Sequence, residues 1–132
     1  MSIEAKQIIN IMNAWAPQSL AESWDHPGLQ IGNVHTPVKK VLVALDLTAE
    51  NASYAADNGV NLIISHHPFL FRSLHEIDLG TYRGKIIETL IRSSIVSFAA
   101  HTNLDIARGG VNDVLAEKLS LSDRSEEHTS EL

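Results

Sequence analysis

His66 and His67 stand side by side at the end of an apolar run, Val60-Asn61-Leu62-Ile63-Ile64-Ser65. A second apolar run further along ends in His101-Thr102-Asn103-Leu104-Asp105. Imidazole and carboxylate are ordinary protein ligands of zinc, iron and manganese, and strands that end in such groups present them together at a sheet edge. The sequence has no cysteine, which leaves His, Asp and Glu as its metal donors and removes thiol nucleophiles. These residues therefore point to metal chemistry. A lone His at a strand end is more often a hydrogen-bonded structural residue than a ligand. Two consecutive His are different, because neighbouring side chains leaving a strand point to opposite sides, so two ions could each take one. Asp46, after a third apolar run, reads as a cap for the next helix rather than as a ligand.

Other catalytic signatures do not compete. The sequence contains no Gly-x-x-x-x-Gly-Lys phosphate loop, no Gly-x-Ser-x-Gly elbow and no Gly-x-Gly-x-x-Gly. Gly109-Gly110 lacks that spacing and reads as a backbone turn before a helix. Ser65 beside His66 is a poor nucleophile and base pair, because adjacent side chains on an extended strand diverge.

The elements that must position these groups follow from periodicity. Ile8, Ile9, Ile11, Met12 and Trp15 fall at helical spacing and predict an amphipathic helix over 3–15, halted by Pro17. The turn-rich stretch Trp24-Asp25-His26-Pro27-Gly28 predicts an ordered loop leading into a short strand. Val41-Leu42-Val43-Ala44-Leu45 reads as a strand covered on both faces. Thr48 and Gly59 bracket a helix over 49–58, strands follow at 60–65 and 95–100, and further helices at 82–93 and 111–119. The alternation predicts an α/β fold in three layers, with a mixed or mostly parallel sheet and helices on both faces. In such sheets ligands bind beyond the carboxyl ends of the strands, where His66, His67, His101 and Asp105 would converge.

Composition narrows the function classes. The chain has 132 residues, 44% of them hydrophobic, enough for one domain with its own core. Lys and Arg number 10 against 16 acidic residues, so the charge offers no footprint for nucleic acid or an anionic membrane. The amphipathic start and the lack of any apolar run of bilayer length point to a soluble, cytoplasmic protein.

Ser65-His66-His67-Pro68-Phe69, followed by His101-Thr102-Asn103-Leu104-Asp105 and Gly110-Val111-Asn112-Asp113, resembles the Nif-three-like family, whose members are often named GTP cyclohydrolase 1 type 2 homologs. The resemblance runs to about Leu121 and includes Trp24-Asp25-x-Pro27-Gly28-Leu29-Gln30-Ile31-Gly32. The family often has Asn where this chain has His26, so that position is given no ligand role. The resemblance implies a dinuclear centre of divalent ions, zinc, iron or manganese, two per full-length chain. His66 would serve one ion, His67 the other, Asp105 would join the coordination and His101 would support it. It further implies that this chain is half of a two-domain fold, that a His and a Glu completing the centre lie downstream of its end, and that the full-length protein is a homohexamer. Two neighbouring ions would polarise a substrate oxygen, chemistry suited to hydrolysis of a nucleotide or phosphoester. Which residues would be catalytic is left open.

Residues 1–123 are read as the family domain. Arg124-Ser125-Glu126-Glu127-His128-Thr129-Ser130-Glu131-Leu132 resembles the in-frame translation of a common sequencing adapter and is read as an artefactual polar tail over 124–132. His128 and Glu131 are accordingly not taken as the missing ligands. Two classes of function remain: a metal-dependent hydrolase, and a non-catalytic metal-binding regulatory or scaffold protein, which a family named for an interaction keeps open. An unrelated phosphoesterase with a similar His-rich strand end is a third.

Overall fold

A computed structural model describes residues 2–122. The tail at 124–132, with His128 and Glu131, lies outside the described residues. Residues 3–15 form a two-residue strand, β1 (Ile3–Glu4), and then helix α1 (Ala5–Trp15). A reciprocal cap opens that helix, the Gln7 side chain accepting from the Glu4 amide at 2.8 Å. β2 (Gly28–Ile31), β3 (Pro37–Val38) and β4 (Val41–Ala44) follow, then α2 (Ala49–Asp57), β5 (Leu62–Ser65), α3 (Tyr82–Arg92), β6 (Val96–Ala99), α4 (Thr102–Ile106) and α5 (Val111–Lys118).

The main sheet has the order β2-β6-β5-β4, with β4, β5 and β6 parallel and β2 antiparallel to β6. It is therefore the mixed, three-layered α/β fold that the alternating pattern predicts. On one face, Ala52 and Ala55 of α2 and Ile86 and Leu90 of α3 pack with Ile63 and Ile95. On the other, Ala5 and Ile9 of α1 pack with Leu62, Val96 and Phe98. β1 pairs with β3 in a separate two-stranded ribbon, tying the start of α1 to the chain just before β4.

Helix α2 is bounded as its sequence dictates: Thr48 accepts from the Asn51 amide at 3.1 Å, and Gly59 follows the helix at φ +71°. Two local expectations are corrected, and one element was not anticipated. β4 is not covered on both faces, because it is the sheet edge and Val43 is 75% exposed. Asp46 does not cap α2, a role Thr48 takes. Residues 102–106 form a helix too short to leave a periodic signal. Among the described residues no helix is long and apolar enough to cross a membrane.

Candidate metal centre

The carboxyl ends of β4, β5 and β6 lie together because the strands are parallel and in register, Ala44 beside Ser65 and Ser65 beside Ala99. Beyond them the chain stays coupled: the His66 and His67 amides donate to Ala44 and Leu45 carbonyls, and the Ala100 amide to Ser65. His66 and His67 lie past the last residue of β5, so the alternation of a strand does not act on them. Their rings approach to 5.2 Å between centroids. His101 completes a triangle, its ring centroid 5.2 Å from that of His66 and 5.7 Å from that of His67. One ring nitrogen from each of the three lies within 4.8 Å of the others, a cluster that could hold a metal ion.

Each imidazole is held through Nδ1 by an oxygen that can only accept. His66 Nδ1 donates to the Ala100 carbonyl at 2.8 Å, His67 Nδ1 to Asp46 Oδ1 at 2.7 Å and His101 Nδ1 to Asp25 Oδ2 at 3.0 Å. A neutral imidazole with its proton on Nδ1 carries its lone pair on Nε2. Outer oxygens that fix a ring's tautomer and direction in this way are what metal-ligating histidines ordinarily have.

Asp105 supplies the carboxylate. Its Oδ1 lies 3.3 Å from His66 Nε2. With Nδ1 committed to Ala100, this contact sets a nitrogen lone pair against a carboxylate oxygen, an arrangement that repels unless a cation or an added proton lies between them. Two ligands bound at 2.0–2.2 Å and separated by a tetrahedral angle would stand about 3.4 Å apart. The spacing and the donor types fit a divalent ion.

The pentapeptide 101–105 divides its work. The Asn103 side chain accepts from the His101 amide at 2.9 Å and donates to the Ala16 carbonyl at 2.8 Å, fixing the peptide that carries the ring. Thr102 donates its hydroxyl to Asp25 Oδ2 at 2.6 Å and its amide to the same oxygen at 3.2 Å. Leu104 packs against the cluster built on α1, and Asp105 faces His66.

All four residues singled out from the sequence, His66, His67, His101 and Asp105, are thus brought together. Asp46 was read as a cap and instead meets His67. Asp25 was missed, although it belongs to the Trp24-Asp25 loop motif. β2 runs antiparallel to β6 with Gly28 opposite Ala99, so the loop just before β2 is delivered to the same end of the sheet. His26 reaches the site through its backbone amide, which donates to Asp25 Oδ1 at 2.9 Å. Burial by itself pushes the Asp25 carboxyl up; the hydrogen bonds from Thr102 and His101 outweigh it and hold the group below the ordinary carboxylate value. Ser65 takes no nucleophilic pose, since its hydroxyl donates to the His67 carbonyl at 3.0 Å.

Over 113 residues the chain is 50% identical to a GTP cyclohydrolase 1 type 2 homolog of Listeria innocua, a match that covers 86% of this chain and 30% of that protein. A Bacillus cereus protein related to NIF3 superposes with a TM-score of 0.87 at 45% identity, covering 92% of this chain and 34% of that one. Reduced HcgD from Methanocaldococcus jannaschii superposes with a TM-score of 0.88 at 34% identity, covering 95% of this chain and 50% of that one. The chain spans about a third of the length of the Listeria and B. cereus proteins. The family model for Duf34/NIF3 (NGG1p interacting factor 3) matches residues 3–131, and the chain belongs to that family.

Proposed function

We propose that His66, His67 and Asp105 are ligands of a dinuclear divalent-metal centre, with His101 beside them, and that the centre serves hydrolysis of a nucleotide or phosphoester. The observation that carries this reading is the contact of His66 Nε2 with Asp105 Oδ1 at 3.3 Å while His66 Nδ1 is committed to the Ala100 carbonyl. Two facing acceptors repel unless a cation or an added proton lies between them, and the neighbouring His67 and His101 supply the further donors that a metal ion would need. When bound, such ions supply Lewis acidity toward a phosphoryl or ring-carbon centre. The residues of this chain aim the imidazoles, through Ala100, Asp46 and Asp25, and Asp105 offers a second carboxylate oxygen beyond the one facing His66.

The test is zinc titration of the dialysed full-length protein by calorimetry, followed by thermal melts with and without the metal. Binding should raise the melting temperature in proportion to the logarithm of free zinc, and His66→Ala and Asp105→Ala should abolish both effects. Nucleotides and phosphoesters are then screened with metal restored. A full-length protein that takes up no zinc, or takes it up equally well without His66 and Asp105, would overturn the metal reading. Metal binding without turnover of any screened compound would remove the hydrolase half and leave a metal-binding scaffold.

A further inference from the structure

The ring contacts among the described residues join into one network: His66, His67 and His101 touch one another, Trp24 stands edge-on to His101 with centroids 6.2 Å apart, and Phe71 stands edge-on to Trp24 at 6.1 Å. The outer two rings are wet, Trp24 56% and Phe71 51% exposed. Both rings sit on backbone that is anchored by its neighbours. Trp24 is followed directly by the buried Asp25, whose carboxylate is bonded to His101 and Thr102. Phe71 follows a segment pinned twice: Arg83 donates to the Phe69 carbonyl at 2.6 Å, and the Leu70 amide donates to Gln30 Oε1 at 3.0 Å. Phe69 turns inward against the core and carries Arg83 over its ring. The segment thus had an inward position for one aromatic and holds the other outward, next to Trp24 and on the rim of the histidine cluster.

We propose that Trp24 and Phe71, set at 66° to each other, form an aromatic corner in which a planar heteroaromatic ring stacks on one and meets the edge of the other, so that the molecule acted on at the His66, His67 and Asp105 centre is a nucleotide or another ring-bearing compound rather than a simple phosphoester. The proposal rests on the metal-centre reading for what happens to the ligand, and on the two exposed rings for what the ligand is. Exposed rings carried on anchored backbone can be covered by a flat partner, and stacking tolerates many ring types because each presents a π-face. The position suits a ligand whose ring rests on the aromatics while its polar portion reaches the imidazoles.

The experiment uses the 132-residue chain carrying Trp15→Phe, which leaves Trp24 as its one tryptophan. GMP, CMP, neopterin and ribose 5-phosphate are titrated against Trp24 fluorescence, with zinc calorimetry on the same samples. At least one ring-bearing compound should quench saturably and bind about tenfold or more tighter than ribose 5-phosphate, as expected when a stacked ring is gained. Phe71→Ala and Phe71→Leu should both weaken that binding by about tenfold with zinc affinity unchanged, the Leu variant retaining apolar bulk without a π-face. Ring compounds binding no tighter than ribose 5-phosphate would overturn the proposal, as would a Phe71→Leu chain that binds them as well as the parent. The metal-centre reading is decided by the full-length titration above, and the ring titration decides the aromatic site independently of it.

Discussion

The Asp25 carboxylate and the His101 imidazole, 76 positions apart in the chain, meet at 3.0 Å. The cause is topological. β2 is antiparallel to β6, so the residues that enter β2 arrive where β6 leaves, and Asp25 closes onto His101 and Thr102 with its side chain fully buried. A buried carboxylate is tolerated here because its oxygens accept from the His26 amide, the His101 ring, and the Thr102 amide and hydroxyl.

Those donors set the sign of a pH effect. Burial raises the Asp25 carboxyl, the hydrogen bonds from Thr102 and His101 lower it by more, and the group titrates below its unfolded value of 3.8. The folded chain therefore binds this proton less readily than the unfolded chain. Its stabilisation is fully present above the unfolded value and is lost as pH falls through the folded one. Urea melts at pH 7, 4 and 3 should show the midpoint falling on the acid side. Asp25→Asn should lower the midpoint at pH 7 by about 1–3 kcal/mol of stability and make the acid fall shallower. An equally steep fall in the variant would assign the acid sensitivity to other carboxylates.

Asp46 tests orientation apart from stability. It meets His67 Nδ1 at 2.7 Å, yet both side chains are half-exposed, so water screens the pair. Asp46→Ala should cost less than about 1 kcal/mol in a urea melt. The same substitution frees the His67 ring to rotate and change tautomer, and zinc affinity by calorimetry should fall about tenfold. Unaltered zinc affinity would mean that His67 needs no carboxylate to aim it.

Much of this arrangement is legible in the sequence because the relevant signals are local. The apolar runs around Val41, Leu62 and Val96, the Thr48 cap and Gly59 fix the parallel strands and α2, and parallel strands bring their ends together, so His66, His67, His101 and Asp105 could be grouped in advance. Asp25 could not be grouped with them, since its place depends on β2 pairing antiparallel with β6, a tertiary choice with no local signature. Asp46 was misread because it lies between a strand end and a helix start, and its meeting with His67 depends on how the ends of β4 and β5 are placed side by side, which no local signal encodes. The exposure of Val43 is likewise a consequence of strand order, which an apolar run does not encode.

Gly110 locks the turn between α4 and α5. A Cβ there would run into the carbonyl oxygens of Leu104 and Ala107, both backbone atoms that cannot swing aside. Gly110→Ala should therefore displace the end of α4 and destabilise the chain by about 1–3 kcal/mol, read as a lowered urea midpoint. Gly59→Ala gives the contrasting case: its φ of +71° makes Ala strained while nothing lies within 4 Å of the added Cβ, so it measures strain without collision, and the smaller loss is expected there. Gly110 itself lies at φ −81°, where Ala is unstrained, so a loss at Gly110 no larger than at Gly59 would show that the chain relieves the collision by a small shift of α4.

Asn103 is the residue through which α1 and the metal-centre candidates are coupled. It is 1% exposed, and its amide spans from the His101 amide to the Ala16 carbonyl at the end of α1. Asn103→Ala leaves both backbone partners without this side chain and opens a polar void. Leaving buried polar groups unpaired costs about 1–3 kcal/mol each, so the urea midpoint should fall by a comparable amount. The His101 peptide would lose its tether, and zinc affinity should fall together with stability. Asn103→Asp separates the two effects: it keeps an oxygen to accept from the His101 amide and loses the donor to Ala16. Its zinc affinity should therefore exceed that of Asn103→Ala even though a buried, unpaired charge makes the fold no more stable. The opposite order of affinities would show that the link to α1, and not the bond to the His101 amide, holds that ring in place.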